Sequence, residues 1–341
     1  MKKPITVILI LISMQNAFAQ DSEDYVSEET VAISTAVSAG IQLGTILESF
    51  LYNEPYYPYL FLGTAALQNT PGLILGTNNS IQNLLFQAGF DALYLGNHLI
   101  FGDNAATPLL FNAFHKFSMF STYDTYAELR SRVNNEEYNN INRYSFFDLA
   151  AAPFKGNNYK EWYVWGYLGS IGIYSIVTAC LADQSNAIWT TNEAYIGQSG
   201  FPVWAAVPLV LLMQIPHFIM TGVGEEALYR GTYYEELSYR LGEWPAKIID
   251  GLYFTLSHYP QKYDELAETP PGNIISNALI SMGQTFWLQY IYEWGDLPMA
   301  VTAHAATDVM LFFVDWLLQA GVPNNSGFSI NGSKLSISLS L

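Results

Sequence analysis

The chain of 341 residues is half hydrophobic and only 13% charged, roughly half the charged share of an ordinary soluble domain. Thirteen Lys and Arg stand against 30 Asp and Glu, a formal net charge of −17, and such a surface repels polyanions, so no nucleic-acid partner is expected. The single cysteine, Cys180, excludes an internal disulfide and leaves zinc ribbons and iron–sulfur ligation without thiolates; in its apolar run it is expected as inert packing.

The first residues read as a targeting segment. Met1-Lys2-Lys3 is followed by an apolar run from Ile5 to Met14 and by Ala17-Phe18-Ala19, the order of a secretory signal over residues 1–19. The run is short for a membrane span, although an uncleaved anchor is the alternative. An acidic stretch, 21–29, follows.

Mean hydropathy is modest at +0.15, so membrane spans must be argued segment by segment. Residues 162–182 carry no acidic or basic residue before Ala182, and 201–221 carry only His217; each has the ~20 residues needed to cross a hydrocarbon core. Further spans are expected at 31–51, 82–101, 107–120, 273–292 and 297–318, with Pro271 and Pro298 at helix entries. Arg130, Arg132, Arg143, Lys155 and Lys160 concentrate positive charge in 121–160, which predicts a cytoplasmic polar loop there. The expected organisation is therefore a membrane-associated region at 20–160, a core at 161–320 and a polar tail at 321–341. The fold expected is all-α, a polytopic membrane helix bundle with a buried polar chamber, in the cell (inner) membrane of its host.

Ionisable residues inside apolar sequence default to a functional reading, because lipid burial is costly. The first group is Gly224-Glu225-Glu226-Ala227-Leu228-Tyr229-Arg230-Gly231. Glu226 and Arg230 share a helical face and can pair, whereas Glu225 points about 100° away, free to meet water or substrate. The second group is Phe254-Thr255-Leu256-Ser257-His258 and the third is His304-Ala305-Ala306-Thr307-Asp308. Either alone reads equally as a packed core histidine. Together, on three separate helices, they aim polar groups into one chamber. His217 reads as a core histidine near that chamber, and His98 and His115 as structural.

Glu-Glu-x-x-x-Arg, Phe-x-x-x-His and His-x-x-x-Asp, in this order, resemble the three motifs of the CAAX-protease and bacteriocin-processing (CPBP, or ABI) family of intramembrane glutamic endopeptidases. The resemblance covers about 162–319, and 20–160 carries no motif. It implies that Glu225 and His258 activate a water against a peptide carbonyl and that His304 and Asp308 stand where the oxyanion is stabilised. Glu226, Arg230 and Phe254 would support them, without a cofactor. The substrate implied is a membrane-associated protein or peptide met within the lipid bilayer.

Asp308 departs from the Asn of the best-understood members, and a carboxylate cannot donate to an oxyanion. Either Asp308 carries a proton or it orients His304 as the donor. Two other readings use the same residues. His258, His304, Asp308 and Glu225 form a stereochemically reasonable metal-ligand set for a metal-dependent hydrolase. A non-catalytic membrane protein could instead hold a peptide or lipid in the chamber.

Overall fold

The computed structural model describes residues 25–51, 57–101, 107–182, 184–196, 199–258 and 271–323. The expected signal segment and nearly all of the polar tail lie outside the described residues. The first half contributes helices α1 (Glu28–Leu51), α2 (Tyr57–Gln68), α3 (Ser80–Phe101) and α4 (Thr107–Ser131). The second half contributes α5 (Trp162–Leu181), α6 (Val203–Leu228), α7 (Glu235–Leu241), α8 (Glu243–His258), α9 (Pro271–Gly295) and α10 (Leu297–Gln319). A π-helical turn, Tyr229–Tyr234, joins α6 to α7.

The segments expected to span lie in helices, apart from Phe201 and Pro202, which form a strand, and Ala182, which caps a helix. The helices over 31–51, 82–101, 107–120 and 273–292 are not, however, apolar enough to count as spans by length and composition. Among the described residues, three stretches are long and apolar enough to cross a membrane: Trp162–Leu181, Val203–Leu241 and Leu297–Gln319. Their outward side chains are apolar, including Trp165, Ile173, Ile176, Trp204 and Leu212, a surface suited to lipid contact. Cys180 is exposed on this side of α5, so it is not the core packing expected of it.

Two features depart from the sequence reading. An antiparallel hairpin, β1 (Glu193–Ile196) with β2 (Ser199–Pro202), precedes α6 and pairs Glu193 with Pro202 and Ile196 with Ser199. It is tied to the end of α10 by bonds from Tyr195 N to Ala320 O at 2.7 Å and from Trp316 Nε1 to Tyr195 O at 3.1 Å.

The second departure concerns 121–160. Helix α4 continues to Ser131, because Phe117, Phe120, Tyr123 and Ala127 recur at helical spacing and lie in one core cluster with Val223 of α6 and Val301 of α10. Much of the charge expected on an exposed loop is neutralised inside the fold. Arg143 bridges Asp124 at 2.8 Å and Glu128 at 3.1 Å, and Arg130 meets Glu235 at 2.9 Å. Tyr138 donates to Glu236 at 2.5 Å, and burial followed by that carboxylate pushes its phenol pKa up, so it remains a donor. Short helical turns, among them Phe146–Ala150, carry the chain from there to α5.

Helix α6 is central, packed against α4 on one side and α10 on the other. Small residues permit both approaches. A Cβ on Gly222 would stand 3.1 Å from the Val301 carbonyl oxygen and 3.3 Å from Ala305 Cβ. A Cβ on Gly224 would stand 2.5 Å from the Lys116 carbonyl oxygen and 2.8 Å from its Cα. Gly224 is therefore the point where α4 and α6 touch backbone to backbone.

Gly224→Ala should separate these helices and cost about 1–3 kcal/mol, as overpacking does. Gly89→Ala in α3, where nothing lies within 4 Å of the added methyl, should be neutral or stabilising through helix propensity. Thermal melts of the two detergent-solubilised variants check the contrast.

Candidate active site

The three sequence motifs sit on α6, α8 and α10, and the fold brings them together. Glu226 and Arg230 pair at 3.0 Å, both side chains fully buried. One turn apart on α6 and its π-helical continuation, they meet as their spacing predicts. Arg230 also donates to the Thr285 carbonyl of α9 at 3.4 Å. Its guanidinium carbon lies 4.6 Å from the centre of the Phe254 ring, a contact worth about 2 kcal/mol when desolvated. Phe254 is thus a plate between groups, with the His258 ring at 4.4 Å and the His304 ring edge-on at 6.1 Å.

His304 is oriented by Glu226, not by Asp308. Its Nδ1 lies 2.6 Å from Glu226 Oε1, the same oxygen that accepts from Arg230. That leaves Nε2 facing the chamber, 3.4 Å from Asp308 Oδ2 and 3.6 Å from Glu225 Oε2. A hydrogen-bonded Nδ1 selects which nitrogen works. Of the two roles open to Asp308, orienting His304 therefore falls to Glu226, the neighbour read as support alone.

His258 shows the same division. Nδ1 lies 2.8 Å from the Phe254 carbonyl and 3.2 Å from Ser257 Oγ. A carbonyl only accepts, so the Nδ1 proton is the one donated. In the neutral ring Nε2 is then an unprotonated acceptor, and it faces Glu225 Oε2 at 3.6 Å. Two acceptors at that separation do not bond directly, but a water can donate one hydrogen to each. His258 is the most exposed of the set, with 32% of its side chain accessible, against 24% for Asp308 and 5% for Glu225. The cluster is therefore reached from outside beside His258 and Asp308, with Glu225 beneath them.

Glu225 is not the unpartnered acid that spacing alone suggests. Its Oε1 is held by Lys116 Nζ of α4 at 2.5 Å. Its Oε2 has no hydrogen-bond partner among the described residues and is the oxygen turned toward both histidines. Sequence reasoning missed Lys116 because it lies in the half without a motif, 109 residues before its partner. The available signal was a lone lysine inside an apolar helix.

The remaining histidines make other contacts. His217 is buried with its ring edge-on to Phe218 at 5.0 Å, and its carbonyl accepts from Asn112 at 3.0 Å. His98 stacks on Tyr94, and His115 packs against Phe111.

A shared buried acid, two imidazoles with their inner nitrogens tied and a second acid with one oxygen turned to the opening make an arrangement able to hold and deprotonate a water. Residues 207–310 match a family model described as Rce1-like, type II CAAX prenyl endopeptidase Rce1-like. No curated protein and no solved structure matches the chain. The matched region holds Glu225, Glu226, Arg230, Phe254, His258, His304 and Asp308, so every residue of the three motifs lies in the part of the chain that is similar to this family.

Proposed function

We propose that the chain is an intramembrane glutamic endopeptidase that cleaves a membrane-associated protein or peptide. The match at residues 207–310 supports a CAAX-type membrane protease at the family level. The observation that carries the finer reading is Glu225 Oε2 and His258 Nε2, both acceptors, facing each other across 3.6 Å. Water placed between them loses a proton as it attacks the scissile carbonyl. His304 Nε2, its ring held by Glu226, supplies the donor to the oxyanion when it carries a proton. A protonated Asp308 would add a second donor.

A metal-bound variant would use the same four side chains. The Lys116 ammonium, 2.5 Å from Glu225, favours the metal-free reading, because a dication on that carboxylate would sit beside a fixed positive charge.

The primary test compares membranes bearing the wild-type chain with membranes bearing Glu225→Gln, scoring new peptide N-termini by mass spectrometry. Products confined to wild type are expected; their absence would overturn the reading. On a peptide spanning such a cleavage site, Glu225→Gln should fold normally and lose on the order of 10²–10⁴-fold in rate.

Glu226→Gln should act differently, because it strands the buried Arg230. A stability loss of about 3–5 kcal/mol is expected in thermal melts.

Two kinetic outcomes complete the set. His304→Ala should lower kcat about 10²–10³-fold with KM little changed. Activity should survive prolonged chelation. Loss on chelation with recovery on added zinc would instead establish the metallohydrolase.

A further inference from the structure

Among the described residues of the first half, Lys116 is the basic side chain paired with Glu225, and three observations make that placement specific. The ion pair is short at 2.5 Å and nearly dry, with 12% and 5% of the two side chains accessible. Gly224 leaves out a Cβ that would stand 2.5 Å from the Lys116 carbonyl oxygen, so the α4 backbone at Lys116 can approach α6 closely. One turn earlier on α4, Asn112 donates to the His217 carbonyl at 3.0 Å and to Thr221 Oγ1 at 3.1 Å. His217, Thr221 and Glu225 follow one another at four-residue spacing, so Asn112 and Lys116 fasten one face of α4 to one face of α6.

Charge gives the pair a purpose. Glu225, Glu226 and Asp308 bring three carboxyl groups to the chamber, and Arg230 is committed to Glu226. Glu225 and Asp308 approach the same nitrogen, His304 Nε2, at 3.6 and 3.4 Å. Two carboxylates so close in a low-dielectric site compete for one proton, and a base that holds the proton cannot take another. An ammonium on Glu225 Oε1 favours the ionised form of that acid and turns its other oxygen to the histidines.

Resting on the proposed peptidase reading, we infer that Lys116 is a positioning residue of the site: it holds Glu225 ionised and oriented by one oxygen, offsetting the carboxyl of Asp308. The region without a motif therefore completes the active site, and the 207–310 core is insufficient for full activity.

The test uses the full-length chain and the peptide whose cleavage depends on Glu225. Lys116→Met should lower kcat on the order of 10²-fold, the lower end of what a positioned base supplies, with KM little changed. Lys116→Arg should recover most of that loss. In the Lys116→Met background, Asp308→Asn should raise kcat about tenfold, because it removes the competing carboxyl. A lysine that merely braced α4 against α6 would lower the melting point and gain nothing from Asp308→Asn. Should Lys116→Met not accumulate, Lys116→Gln, which keeps a polar donor without the charge, carries the same comparison. A wild-type kcat in the neutral variant, or no gain from Asp308→Asn, overturns the role of Lys116 while Glu225-dependent cleavage stands. Absence of any Glu225-dependent product overturns the peptidase reading and this role with it.

Discussion

One carboxylate oxygen, Glu226 Oε1, accepts from Arg230 at 3.0 Å and lies 2.6 Å from His304 Nδ1. Through it α6 and α10 share a buried polar contact, and through Arg230 the same contact reaches Phe254 of α8 and Thr285 of α9. A lone carboxylate at this depth would be untenable, because desolvation of an unpaired charge exceeds anything packing returns. The pairing sets the rotation of α10 about its axis. That rotation presents His304 Nε2 to the chamber.

Such a contact requires helices closer than ordinary side chains permit. Gly222 and Gly224 flank Val223 on α6, one admitting the α10 backbone and the other the α4 backbone. Helices in lipid associate through close packing and interhelical hydrogen bonds more than through hydrophobic exclusion, so bare backbone on two faces does what a leucine interface does in water. The π-helical turn at Tyr229–Tyr234 follows at once. Turns of this kind recur at functional sites, and this one holds Arg230, the partner of Glu226.

Two neighbouring acids on α6 thus enter different environments although they are adjacent in sequence. Glu226 lies between Arg230 and His304 with both oxygens out of solvent. Glu225 has one oxygen on Lys116 and one toward the chamber. Division of labour between carboxyl groups by environment is a general route to acid–base chemistry near neutral pH. A chain with 30 acidic residues can concentrate three carboxyl groups here because Arg230 and Lys116 stand against them.

The helical bundle, the positions of its long helices and the grouping of Glu225, Glu226, Arg230, Phe254, His258, His304 and Asp308 were legible in the sequence. Four-residue spacing and apolar flanks are local, and local periodicity is what a helix converts directly into a face. The pairing of Glu226 with Arg230 followed for the same reason. The Lys116–Glu225 pair, the hold of Glu226 on His304 and the burial of charge at 121–160 belong to the tertiary structure alone. Each joins residues on different helices, and sequence periodicity carries no information on which face of one helix meets which face of another. The hairpin at Glu193–Pro202 was not legible in the sequence, because it is tied to Trp316 and Ala320 more than a hundred residues away, contacts that no local strand pattern signals. What the residues dictated was a set of polar faces; contact at two glycines decided how those faces meet.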